Sequence, residues 1–80
     1  MDAQREEQLL KLIEEICADP VVREERDMDL FDVGLLDSMA AIELLVGIEG
    51  EFGISIAPTE VEREEMNTVN LILKRVEERL

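Results

Sequence analysis

The first seventeen residues carry apolar side chains at helical spacing. Placed about 100° apart around a helix axis, these side chains fall on one side, and they are Leu9, Leu10, Leu12, Ile13, Ile16 and Cys17. The opposite side is charged. This pattern predicts a helix over residues 3–17 with one face in the core. Asp19-Pro20 ends the helix, because proline cannot continue it.

A second helix is predicted over residues 38–52, and its apolar positions form two stripes. The longer stripe consists of Ala41, Leu44, Leu45, Ile48 and Phe52, and the shorter one of Met39, Ile42 and Val46. A chain of 80 residues is too small to bury a helix on all sides. We therefore expect the longer stripe to face the core. The shorter stripe then faces solvent or a partner, beside Glu43 and Glu49.

Gly47 and Gly50 lie within this second helix, where each glycine costs about 1 kcal/mol relative to alanine. We expect both to lie near the shorter stripe. A partner's backbone could approach closely there, or the glycines could simply be tolerated.

The remaining segments predict a long connection and two further helices. Residues 18–37 join the first two helices, and connections of this length usually serve a function. Four apolar residues are expected to pin this connection to the core, around a sharp turn at Gly34: Leu30, Phe31, Leu35 and Leu36. Thr59 and Glu62 have the spacing of a capping box and predict a short third helix. The last helix begins near Asn67 or Thr68 and is expected to bury Val69, Ile72, Leu73, Val76 and Leu80.

The expected architecture is therefore a single all-α domain over residues 1–80. It is a four-helix bundle with a long first loop and a short third helix.

The charge is strongly acidic, at −13, and it is unevenly distributed. Residues 27–62 contain nine acidic residues and no lysine or arginine. Phosphate binding requires a basic face, so nucleic acid and anionic lipid are poor partners. The acidic segment is either an ordinary solvated surface or a guide for a basic protein partner.

Location and redox state follow from what the sequence lacks. No stretch approaches a membrane span, and the first residues are charged, so we expect a cytoplasmic protein without direct membrane insertion. Cys17 is the only cysteine, which excludes an internal disulfide.

Catalysis by this chain alone is not expected. There is no histidine, so a Ser-His-Asp or Cys-His arrangement cannot form, and an ordinary zinc site is excluded. Asp27, Asp29 and Asp32 suggest a calcium loop, but the required glycine is missing and the twelfth position is Ser38. We therefore expect no catalytic residue and no metal site.

Ser38 lies where the long connection meets the second helix. Asp37 or Ser38 can act as the N-cap of that helix. A serine hydroxyl at a helix N-terminus is also accessible to a modifying enzyme, and a phosphodiester there would be favoured by free backbone N–H groups. The local pattern allows both interpretations.

The residues around Ser38 resemble those of acyl carrier proteins, whose hallmark is Asp-Ser-Leu or Asp-Ser-Met at the start of the second helix. Here the triplet is Asp37-Ser38-Met39, and the resemblance spans about residues 30–76. It implies that Ser38 receives 4′-phosphopantetheine from coenzyme A through a separate phosphopantetheinyl transferase, with Asp37 beside it. The terminal thiol then carries cargo as a thioester. The resemblance also implies that enzymes contact Met39, Ile42, Glu43, Val46 and Glu49.

Within this family the chain is most similar to the D-alanyl carriers of Gram-positive bacteria, through residues 31–39, 59–63 and 67–70. The resemblance implies three partners: the transferase, a D-alanine–carrier protein ligase, and membrane machinery that passes D-alanine to teichoic acid. Val61 and Met66 depart from the pattern, since aromatic residues are usual at both positions.

Three alternatives remain open. The cargo could be a fatty, polyketide or other acyl group, which would require a hydrophobic pocket between the helices. The chain could be an acidic adaptor that does not use Ser38, or the exposed stripe could form a homodimer. In a carrier that stripe must stay available, so we expect a monomer.

Overall fold

The computed structural model describes all residues 1–80, and its regular secondary structure is entirely helical. Three α-helices are present: α1 (Ala3–Cys17), α2 (Ser38–Phe52) and α3 (Val69–Glu77). Two short 3₁₀ segments, Pro20–Arg23 and Arg63–Glu65, lie in the connections. None of the helices has the length and apolar character needed to cross a membrane.

The predicted limits of α1 and α2 are confirmed, and local capping explains them. Asp2 accepts a hydrogen bond from the Arg5 N–H, and α1 ends where Ala18 takes a left-handed conformation. Gly53, at φ 68°, ends α2 in the same way. Both helices are thus delimited by residues next to them in sequence.

The core consists of sixteen buried side chains, all of them hydrophobic. Each helix contributes most of its predicted stripe to this core. Leu12, Ile16, Phe52 and Leu73 are partly buried and pack against it. Leu80 lies beyond α3 and is 47% exposed, so its predicted burial is wrong. Burial raises the pKa of the Cys17 thiol to about 11, which agrees with its packing as a small apolar residue.

The expected short third helix is a 3₁₀ segment of three residues, Arg63–Glu65. Residues 58–60 form a turn, so the capping box predicted at Thr59 and Glu62 does not begin a helix. Instead, the carboxylate of Glu65 accepts a hydrogen bond from the Glu62 N–H at 2.9 Å. The segment ends at Met66, which has a non-helical backbone conformation (φ −141°) and a buried side chain.

The long connection is pinned as expected, with Leu30 and Leu36 buried and Phe31 and Leu35 packed against the core. Val22 in the first 3₁₀ segment is also fully buried, although no apolar periodicity in the sequence predicts it. Hydrogen bonds tie the connection to the start of α3: Leu30 N–H to the Asn67 carbonyl at 2.7 Å, and Asn70 N–H to the Arg26 carbonyl at 3.1 Å. This holds the segment before Ser38 in one place.

Candidate functional site

The N-terminus of α2 separates the two roles that the sequence left open for Asp37 and Ser38. The Asp37 carboxylate accepts a hydrogen bond from the Ala40 N–H at 2.8 Å and is the N-cap. The Ser38 side chain is exposed and forms no hydrogen bond within the chain. Capping therefore depends on Asp37, and the Ser38 hydroxyl is free for other chemistry.

Backbone N–H groups around Ser38 are also free. Those of Ser38 and Met39 donate to no group in the chain, since the first bonds at this end go from Ala40 to the Asp37 side chain and from Ala41 to the Asp37 carbonyl. Unpaired donors and the helix dipole make such a terminus favourable for an anion.

A tight turn positions this terminus. Gly34 has φ 80°, a conformation that side chains disfavour, and the Leu35 and Leu36 N–H groups both donate to the Leu30 carbonyl at 2.9 and 3.0 Å. Because Leu36 is buried two residues before Ser38, the serine is anchored to the core while its side chain faces solvent.

The Asp29 side chain stabilises the start of the turn around Gly34. Its carboxylate accepts hydrogen bonds from the Phe31 and Asp32 N–H groups, both at 3.0 Å, and from the Asn67 side chain at 2.9 Å. These donors hold the pKa of Asp29 below its usual range, the Asp32 bond having the largest effect. Asp29 is thus a structural residue, and no cluster of side chains suited to a metal ion is present.

The shorter stripe of α2 is exposed, as predicted. Met39, Ile42 and Val46 are 72%, 49% and 63% exposed, and Glu43 and Glu49 on the same helix are exposed as well. An apolar surface bordered by carboxylates therefore begins directly after Ser38.

The expected location of one glycine is wrong. A Cβ atom built on Gly47 would lie 2.9 Å from Leu12 Cδ1, so Gly47 faces α1 and allows the two helices to approach. A Cβ atom on Gly50 would meet nothing within 4 Å, in agreement with an exposed position.

A groove of about 250 Å³ opens beside Ser38, between α2 and the segment that precedes α3. Its walls include Phe31, Ile42, Val61 and Arg63. Arg63 and Phe31 were not identified as site residues from the sequence. No local pattern marks them, because they are far apart in the chain and meet only through the fold.

The interior beneath α2 contains almost no free space. The cavity lined by Leu44, Leu45, Ile48 and Ile72 measures about 10 Å³, roughly the minimum that a single water molecule needs. A larger cleft, of about 550 Å³, lies between α1 and the first 3₁₀ segment, and α2 contributes nothing to it.

Comparison with known proteins gives a family match over most of the chain. The family described as "Phosphopantetheine attachment site" matches residues 7–76. Similar proteins include the D-alanyl carrier protein of Lactococcus lactis subsp. cremoris, 51% identical over 91% of this chain and 92% of the relative. The D-alanyl carrier protein of Abiotrophia defectiva is 49% identical over 94% of this chain and 95% of the relative. That of Bacillus velezensis is 42% identical over 90% of this chain and 92% of the relative.

The family match confirms the expected covalent cofactor, 4′-phosphopantetheine, and a carrier in place of a catalyst. It covers α2 completely and most of α1 and α3. The chain belongs to the family of carrier proteins with a phosphopantetheine attachment site.

Proposed function

We propose that the chain carries a D-alanyl group as a thioester on a 4′-phosphopantetheine arm attached to Ser38, for the D-alanylation of teichoic acid. One observation supports the attachment residue above all: the Ser38 hydroxyl is exposed and unbonded at the N-terminus of α2, while Asp37 caps the helix. When bound, the arm supplies a terminal thiol that holds an acyl group.

The residues around Ser38 fit such an arm. In the attachment step, the Ser38 oxygen would form the ester with the phosphorus that carries the pantetheine of coenzyme A. The pyrophosphate bond of coenzyme A would break, adenosine 3′,5′-bisphosphate would leave, and the serine proton would pass to the transferase. The free N–H groups of Ser38 and Met39 can donate to the phosphodiester oxygens. The adjoining groove offers apolar walls and, at Arg63, a positive charge.

The interior favours a small cargo. The core between the helices, where a fatty or polyketide chain could be buried, has a cavity of only about 10 Å³. A D-alanyl group held as a thioester is small and carries a positively charged ammonium, so it would gain little from burial. The similar proteins named D-alanyl carrier protein point to the same cargo.

The proposed partners are the phosphopantetheinyl transferase, the D-alanine–carrier protein ligase and the membrane acyltransferase machinery. We assign their contact surface to Met39, Ile42, Glu43, Val46 and Glu49, which are exposed beside Ser38. The chain acts as a cytoplasmic monomer in this proposal, because self-association through Met39, Ile42 and Val46 would cover the surface that the enzymes need.

Intact-mass spectrometry tests the proposal on chain isolated from its own host under mildly acidic conditions, which preserve thioesters. We expect a phosphopantetheine adduct on Ser38 and D-alanine on its thiol. Ser38→Ala should abolish the adduct and leave the circular dichroism spectrum of the helices unchanged. An adduct on another residue would refute the attachment site, and a long acyl chain on the thiol would support the alternative cargo.

A further inference from the structure

Arg63 is the basic residue that lines the groove beside Ser38. Four of the eight basic residues, Arg23, Arg26, Arg75 and Arg79, form ion pairs with carboxylates elsewhere. The other four are Arg5, Lys11, Arg63 and Lys74, and among these only Arg63 borders the groove.

The guanidinium of Arg63 is held in place without an ion pair. Its Cζ atom lies 4.3 Å from the centroid of the Phe31 ring, a cation–π contact. No carboxylate oxygen lies within 4.0 Å of its nitrogens, in a chain with 21 acidic residues. The charge of Arg63 helps to lower the pKa of Asp29, but Arg63 donates no hydrogen bond to it. The Asp29 carboxylate accepts its three hydrogen bonds from the Phe31 and Asp32 N–H groups and the Asn67 side chain. The N–H donors of Arg63 remain available.

A phosphodiester on Ser38 adds negative charge to an acidic site. Asp37 is adjacent, and no lysine or arginine occurs anywhere in residues 27–62. Like charges this close along the chain repel each other. A guanidinium can offset this repulsion, because its planar fork of donors matches the oxygens of a phosphate.

We propose that Arg63 is a binding residue for the arm and that its guanidinium pairs with the phosphodiester on Ser38. This inference rests on the proposed attachment at Ser38. Phe31 supports the pair by holding the guanidinium at the edge of the groove.

Phosphorus-31 NMR of the protein loaded with the arm tests this pair. Arg63→Gln removes the charge, and Arg5→Gln is the matched control, because Arg5 is another exposed arginine without an ion pair. We expect the phosphorus resonance to shift and sharpen in Arg63→Gln and to stay unchanged in Arg5→Gln. In the unmutated protein, the Arg63 Nε–H resonance should move when the arm is attached.

Identical phosphorus spectra for the unmutated protein and Arg63→Gln, with no movement of the Arg63 Nε–H resonance, would overturn the pair. An equal shift in Arg5→Gln would show a general charge effect and would also overturn it. Intact mass, measured first on each sample, separates this inference from the proposed function. An arm that is absent or attached elsewhere would refute the attachment at Ser38.

Discussion

Asp37 and Ser38 are neighbours, yet their side chains have separate tasks. The Asp37 carboxylate accepts a hydrogen bond from the Ala40 N–H, whereas the Ser38 hydroxyl forms no hydrogen bond within the chain. The sequence could not separate these tasks, because serine and aspartate are about equally good N-caps. The backbone decides between them: Asp37 has the extended conformation of an N-cap and Ser38 is the first helical residue.

Asp37→Ala should therefore destabilise the unmodified protein by about 1 kcal/mol, because the Ala40 N–H loses its acceptor. Asp37→Asn keeps an acceptor and should lose less. Urea unfolding followed by circular dichroism measures both, with Ser38→Ala as the control that leaves stability nearly unchanged. If Ser38→Ala proved as damaging as Asp37→Ala, the assignment of the cap would be wrong.

Asp29 gives the molecule a defined dependence on pH. Its pKa is lowered in the folded state, so its contribution to stability is present above the unfolded value of about 3.9 and is lost as the pH falls through the folded value. In Asp29→Asn no carboxylate titrates at this position. Acidification from pH 7 to below pH 4 should thus cost the unmutated protein more stability than it costs the variant.

Urea midpoints at neutral and acidic pH measure this difference. The other carboxylates are common to both proteins, so their titration cancels in the comparison. Equal losses in the two proteins would show that the hydrogen bonds from Phe31, Asp32 and Asn67 do not favour the charged form of Asp29.

The helix α2 carries two glycines with opposite surroundings. At Gly50 a Cβ atom meets open space, whereas at Gly47 it meets the Leu12 side chain at 2.9 Å. Gly50→Ala should stabilise the protein by about 1 kcal/mol, because alanine has the higher helix propensity. Gly47→Ala should gain less, since Leu12 must move. Thermal unfolding of the two variants measures this, and an equal gain would mean that α1 and α2 are not closely packed at Gly47.

The helices also show which features a sequence can predict. The limits of α1 and α2 were predictable because periodicity and caps lie within a few residues of each other. The third helix was not, because Thr59 and Glu62 satisfy a local rule while the burial of Met66 depends on the rest of the fold. Likewise, Gly47 against Leu12 and Arg63 over Phe31 are long-range contacts that no spacing reveals.

The molecule as a whole keeps its acidic segment largely free of basic partners. Among the carboxylates of residues 27–62, only Glu60 forms an ion pair, with Arg79. The other arginine pairs join acidic residues outside this segment, such as Glu7 and Glu14 with Arg23. A partner with a basic surface would therefore meet negative charge that the fold has not neutralised.

Raising the salt concentration should weaken loading by the ligase, because exposed charges are screened over about 10 Å at 0.1 M salt. The expected effect is a fall in kcat/KM with ionic strength. Charge-reducing variants at Glu43 and Glu49 should flatten that dependence, whereas a variant at Glu15 on α1 should not. Loading that does not depend on salt would remove the acidic segment as a steering surface.

The free hydroxyl of Ser38 also bears on whether the chain can fold before an arm is attached. Since none of the hydrogen bonds that hold α2 involves this oxygen, esterifying it breaks no bond of the fold. The chain can fold first and be activated later, and loss of the arm would return it to a folded protein ready for activation again. With the arm on Ser38 as proposed, the fold therefore does not depend on whether the arm is attached.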